Sequence, residues 1–150
     1  PMSYSSRTGL AYVNSIETEW LFTPTGSKYE PGLLYFSAQV EFLQGGGDRG
    51  FLKAIDPLTG NAKWSFSTLV PMNGGTLVTA GNLVFSGAQT GELYAFNAET
   101  GEKLWEYRTS SGIIAPPVTY QVDGKQYVAV GSGIGGLYAA YSGDPSFKEY

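Results

Sequence analysis

Residues 50–68, GFLKAIDPLTGNAKWSFST, and residues 91–109, GELYAFNAETGEKLWEYRT, are one segment written twice, 41 positions apart. Seven of nineteen positions are identical: Gly50/Gly91, Leu52/Leu93, Ala54/Ala95, Thr59/Thr100, Gly60/Gly101, Trp64/Trp105 and Thr68/Thr109. Asp56 and Asn97 match in chemistry. Shared composition does not supply that agreement, so the chain carries a duplication. A period near 40–45 residues with several short strands per unit is the signature of propeller blades, each of which buries its apolar face only by stacking on the next.

The local pattern agrees. Leu93-Tyr94-Ala95-Phe96 and Leu104-Trp105-Glu106-Tyr107-Arg108 are short segments rich in aromatic residues, bounded by Gly, Asn or Thr-Gly turns. No 3.6-residue apolar period runs anywhere, so low helix content is expected. The spacing predicts one complete blade at 76–109, with strands at about 76–80, 82–88, 92–98 and 103–109. An earlier blade occupies 1–68, with strands near 9–14, 50–56 and 62–68. A long loop, 16–49, interrupts it with Pro24, Gly26, Pro31, Gly32 and the run Gly45-Gly46-Gly47; such a loop is functional or peripheral cover. An incomplete blade follows at 115–150, opening with a hairpin of 115–122 and 125–131 turned at Asp123-Gly124. The fold class read from the sequence is therefore all-β, a partial β-propeller of about two and a half four-stranded antiparallel blades. Propellers protect sheet edges by closing a ring, and this number of blades cannot close. The chain is expected to be a fragment of a larger propeller or to assemble with other copies; its start at Pro1 reads as processed or partial.

Composition excludes several chemistries within this chain. It has no Cys and no His, so it offers no disulfide, thiolate zinc site, cysteine nucleophile, Ser-His-Asp triad or histidine-ligated metal. Thirteen acids against nine bases give a net charge of −4, which argues against a nucleic-acid partner. No apolar run approaches the length of a membrane span.

The duplicated element is Ala-x-Asp/Asn-x-x-Thr-Gly-x-x-x-Trp. Thr-Gly turns the chain between the third and fourth strands, and the Trp of the last strand can stack on a neighbouring blade while its N–H meets a backbone acceptor. Blade docking, not catalysis, is the reading for Trp64 and Trp105. Asp56 caps its turn through its side-chain oxygen; its repeat partner Asn97 cannot do acid–base work in the same slot.

This element resembles the tryptophan-docking motif of the quinoprotein alcohol and methanol dehydrogenases, the eight-bladed propellers that hold pyrroloquinoline quinone (PQQ). Three other stretches resemble the same family: Pro1–Ser5 with Thr8–Val13, Pro71–Phe85 (PMNGGTLVTAGNLVF), and residues 115–136 (PVTY, DGKQYVAV and a glycine-rich run). Of these, 71–85 is the most specific, because non-enzymatic propellers share the docking motif. The resemblance covers most of the chain outside 16–49 and the last dozen residues, and corresponds to the C-terminal blades.

The resemblance implies a set of functional expectations. Asn73 and Gly74 are the expected cofactor-binding residues: an Asn amide can donate to a carboxylate of PQQ, and adjacent glycines let the backbone approach. The alternative is that Asn73-Gly74 is only a turn between blades. The family's reaction is the oxidation of a primary alcohol with electrons passing to a cytochrome c, in the periplasm, with Ca²⁺ or a lanthanide beside the quinone. The metal ligands, catalytic Asp and adjacent-cysteine disulfide of that family match nothing in this chain, so no catalytic or metal residue is assigned, and the chain is expected to contribute blades and part of the quinone pocket. Two rival readings are a non-enzymatic scaffold propeller that binds protein partners and a self-assembling propeller fragment.

Other signals are discounted. Gly131-Ser132-Gly133-Ile134-Gly135-Gly136 contains G-x-G-x-x-G, but Ser142-Gly143-Asp144-Pro145 follow too soon for the helix a dinucleotide site needs. Glu17 and Glu19 read as solvated carboxylates, and Asp48-Arg49 as a surface turn.

Overall fold

The computed structural model describes residues 1–33, 35, 37–43 and 49–134. In chain order the strands are β1 (Ser3–Ser5), β2 (Leu10–Ile16), β3 (Glu19–Pro24), β4 (Ala38–Leu43), β5 (Gly50–Ile55) and β6 (Ala62–Thr68). They continue with β7 (Thr76–Val78), β8 (Leu83–Gly87), β9 (Glu92–Asn97), β10 (Lys103–Arg108), β11 (Val118–Val122) and β12 (Lys125–Ala129). No helix occurs among the described residues. The chain divides into two compact units, Thr18–Gly47 and the remainder.

The larger unit holds two four-stranded antiparallel sheets, β1-β2-β5-β6 and β7-β8-β9-β10. These are blades of a partial β-propeller. The duplication is visible in the register: Ala54 pairs with Trp64 and Ala95 with Trp105, each pair followed by an irregularity toward the Thr-Gly turn. Burial alternates along β5, where Gly50, Leu52 and Ala54 are buried and Phe51, Lys53 and Ile55 are not. Leu93 to Phe96 of β9 are all buried, as expected for a strand covered on both faces.

The core lies between the two sheets. Leu10, Tyr12, Leu52 and Ala54 of the first meet Val84, Tyr94, Phe96 and Ala98 of the second, with Met72 between them in sequence. Phe66 packs its ring 4.8 Å from Phe96 and 5.2 Å from Tyr94, both inclined. Each such ring removed from water contributes roughly 1.5–3 kcal/mol.

Trp64 joins the sheets as the repeat anticipates. Its Nε1 donates to the Ala98 carbonyl at 3.0 Å, and its ring covers Gly101, where a Cβ would fall 2.6 Å from Cδ2. The Tyr12 hydroxyl donates to the same carbonyl at 2.9 Å. The capping reading also holds. Asp56 Oδ1 accepts from the Leu58 N–H at 2.9 Å, and Asn97 Oδ1 accepts from the Glu99 N–H at 2.9 Å. Both turns then place glycine at positive φ, 74° at Gly60 and 76° at Gly101.

Three sequence expectations need adjustment. The first sheet gains β1, a three-residue strand too short to announce itself by alternation, and β2 starts at Leu10 and runs to Ile16 instead of spanning 9–14. The hairpin expected at 115–122 and 125–131 is β11–β12, shortened at both outer ends; Asp123 (φ 49°) and Gly124 (φ 74°) make its turn. Finally, 16–49 is not a structureless loop. Within Thr18–Gly47, β3 and β4 pair antiparallel from Glu19↔Leu43 to Pro24↔Ala38. Trp20 and Phe22, two apart on one face, stack at 6.1 Å, and Tyr29 meets Tyr35 edge-on at 5.8 Å. The continuous apolar run Trp20-Leu21-Phe22 hid the strand, because it lacks a period-two pattern. The Gly45-Gly46-Gly47 run, Asp48 and residues 135–150 lie outside the described residues.

Candidate functional site around Asn73

The segment Met72-Asn73-Gly74-Gly75 leads into β7, the short edge strand of the second sheet. Neighbouring chain fixes it on both sides. The Thr76 N–H donates to the Pro1 carbonyl at 3.2 Å, and the Thr76 hydroxyl donates to the Tyr12 carbonyl at 2.9 Å. Asn14 Nδ2 donates to the Gly74 carbonyl at 2.9 Å. Gly75 is required by packing: a Cβ there would lie 2.6 Å from Pro116 Cβ and 2.9 Å from Pro1 Cγ. At Gly74 a Cβ would face the Ala115, Ile113 and Gly87 carbonyl oxygens at 3.4–3.6 Å, so the missing side chain there faces protein.

Asn73 and Gly74 line a concavity of ≈ 560 Å³ with Pro1, Met2, Val13, Asn14, Ile16 and Met72. The Asn73 Oδ1 is buried and has no hydrogen-bond partner. A buried amide oxygen left unmet costs about 1–3 kcal/mol, so it marks a place where a polar group is wanted. The amide also carries two N–H donors. With apolar walls from Val13, Ile16 and Met72, the residues fit one edge of a flat ring system bearing polar substituents.

Asn14 and Ser86 are the candidate-site residues that sequence reading missed. Both are polar residues on largely apolar strands, and that contrast was the available signal. A larger concavity, ≈ 870 Å³, lies at the other end of the sheets among the turns of Arg7, Asp56, Thr59 and Glu99. It is lined mainly by exposed turn residues, with no buried unmet polar atom, and carries less chemistry.

The discounted signals stay separate from this site. Glu17 pairs with Lys53 at 3.1 Å on the surface. Ser132 donates to the Ser111 carbonyl at 3.1 Å, and the Gly133 N–H to Gly112, which ties the described part of the glycine-rich run to the 109–113 loop. Gly135 and Gly136 lie outside the described residues. Among the described residues, no three His, Cys, Asp or Glu side chains cluster to hold a metal ion. No helix among them is long and apolar enough to cross a membrane.

A model of the family described as "Glucose/ethanol/alcohol dehydrogenase, beta-propeller domain" under the heading PQQ matches residues 66–128, which include Asn73, Gly74 and Ser86. The quinoprotein alcohol dehydrogenase PedH of Pseudomonas putida is 43% identical over 145 residues, covering 96% of this chain and 24% of its own length. Among solved structures, a europium-containing methanol dehydrogenase superposes with a TM-score of 0.85 at 35% identity, over 93% of this chain and 26% of that one. Residues 66–128 belong to the PQQ β-propeller domain family of the dehydrogenases. The quinohemoprotein alcohol dehydrogenase of Comamonas testosteroni is also 43% identical, over 92% of this chain and 21% of its own length. The chain thus spans about a quarter or less of the length of the curated relatives it matches. The matched residues 66–128 include the stretch 71–85 that carries Asn73.

Proposed function

We propose that this chain supplies blades and one rim of the quinone pocket of a PQQ-dependent dehydrogenase that oxidises primary alcohols. The observation that carries the reading is the buried, unpartnered Asn73 Oδ1 at the wall of a concavity, inside the family-matched segment. Asn73 would hold the quinone through its amide N–H groups, donating to a carboxylate or ring oxygen. Gly74 contributes its peptide, held in place by Asn14. Val13, Ile16 and Met72 would exclude water from the ring face.

PQQ, when bound, supplies the two-electron acceptor chemistry that no side chain of this protein offers. The other parts of the assignment are proposed from resemblance to the family. Ca²⁺ or a lanthanide would be held by residues outside this chain; the europium in the name of the methanol dehydrogenase neighbour favours keeping the lanthanide option. A cytochrome c would take the electrons, a reading encouraged by the quinohemoprotein name of the Comamonas relative. The remaining propeller blades are the immediate partners, and the periplasm is the expected compartment.

The test is made with the remaining propeller blades present: equilibrium dialysis of the purified assembly against PQQ with Ca²⁺ or La³⁺, followed by dye reduction with a primary alcohol. Retained quinone, alcohol-dependent reduction and a loss of retention in Asn73→Ala are expected. No retention of quinone and no alcohol-dependent reduction would overturn the assignment.

A further inference from the structure

Asn14 lies on β2, opposite Leu52 of β5, and Ser86 lies on β8, opposite Thr76 of β7. They belong to different sheets and are 72 positions apart, yet Asn14 Nδ2 sits 3.0 Å from Ser86 Oγ. The same Nδ2 is 2.9 Å from the Gly74 carbonyl. Ser86 Oγ has two acceptors in reach, the Gly75 carbonyl at 3.4 Å and Asn14 Oδ1 at 3.2 Å.

Counting protons leaves two arrangements. The Asn14 amide has two N–H donors; one goes to Gly74 and the other to Ser86 Oγ. Ser86 has a single hydroxyl proton, which goes either to Asn14 Oδ1 at 3.2 Å or to the Gly75 carbonyl at 3.4 Å. In both arrangements the linked pair holds the Gly74 carbonyl; in the second it holds the Gly75 carbonyl as well. Ser86 is fully buried, with 0% exposure, so water does not substitute for it.

The Gly74 carbonyl lies one peptide beyond the Asn73–Gly74 bond. Glycine peptides pivot easily, and a pivot at Gly74 would swing the Asn73 amide relative to the concavity. We infer that the Asn14–Ser86 pair is a positioning device that sets the Asn73 amide toward the quinone. Ser86 is a positioning residue: it does not line the concavity and acts through the backbone of 74–75. The inference rests on the assignment of Asn73 made above.

The test is a double-mutant cycle on PQQ affinity, read as a Kd by equilibrium dialysis of the purified assembly in Ca²⁺, with Ser86→Ala, Asn73→Ala and the double variant. A urea midpoint is recorded for each. Ser86→Ala is expected to weaken PQQ binding about tenfold, the scale of one lost hydrogen bond. The double variant is expected to bind no more weakly than Asn73→Ala alone, since Ser86 acts through that amide. An unchanged Kd in Ser86→Ala, with only the urea midpoint lowered, overturns the positioning role, as do losses that simply add. An unchanged Kd in Asn73→Ala overturns the assignment of Asn73 itself and is a separate result. Should Ser86→Ala not fold, Ser86→Cys, a weaker donor of similar size, replaces it in the cycle.

Discussion

The indole of Trp64 covers Gly101 so closely that a methyl group on that glycine would lie 2.6 Å from the ring, while its repeat counterpart Gly60 has nothing within 4 Å of the same position. The two glycines share a backbone conformation, φ 76° and 74°. Backbone strain from alanine is therefore matched at about 1 kcal/mol. Gly101→Ala is expected to lose a further 1–3 kcal/mol or so through overpacking against Trp64. Urea denaturation of the two single variants measures the difference, and equal losses would show that the indole yields freely.

Ala98 supplies a second test. Its carbonyl accepts from both Trp64 Nε1 and the Tyr12 hydroxyl. Removing either donor leaves the other in place, so Tyr12→Phe should lower stability by only about 1 kcal/mol. Removing both strands a buried acceptor. The double variant Tyr12→Phe/Trp64→Phe is expected to lose more than the sum of the singles, by a margin near 1 kcal/mol. Strict additivity would mean that the carbonyl finds another donor.

The Asp56 and Asn97 turns predict a substitution pattern. Asp56→Asn should be nearly silent, because Asn97 does the same work in the second copy. Asn97→Ala should lower stability by about 0.5–1.5 kcal/mol, since two N–H groups, those of Glu99 and Thr100, lose their acceptor. Thermal unfolding of the two variants side by side reads the contrast.

Alkaline pH should weaken the fold. Burial raises the phenol pKa of Tyr94, the carboxylates of Glu92 and Glu106 raise it further, and Arg108 opposes them. Burial also raises that of Tyr12, against a lowering hydrogen bond from Thr8, with Glu99 adding to the rise. The unfolded phenols ionise near pH 10 while the folded ones stay protonated. The stability they contribute is complete below about pH 10 and declines above it, by up to about 1.4 kcal/mol per pH unit for each phenol. Tyr94→Phe should flatten that decline in urea titrations at pH 9, 10 and 11; an unchanged slope would assign the alkaline loss to other groups.

The duplicated segment made the sheets legible, because a repeated turn and a repeated tryptophan mark strand ends more firmly than alternation does. Trp64 and Asp56 could be assigned from their counterparts alone. Three things could not. β1 is three residues long, below the reach of any periodic signal, and appears only through its pairing with β2. The β3–β4 hairpin was masked by an unbroken apolar run. The Asn14–Ser86 pair depends on two sheets meeting across 72 positions, and a single sequence does not encode that approach locally. Asn73 was singled out through family resemblance, whereas the orientation of its amide is not encoded locally.

The joint made by Trp64 gives the blades a direction. Every unit presents an indole at its outer strand and a glycine turn ready to receive one, and the two ends are not alike. In this chain Trp64 is seated, while Trp105 keeps 48% of its surface exposed and the Gly60 turn is open. A blade inserted in the same sense would find a seat at either side. A blade inserted in reverse would set indole against indole and glycine against glycine. The joint thus fixes the sense of winding, while the contacts that are not repeated, such as Phe66 on Phe96 and Asn14 on Ser86, decide which blade can follow which.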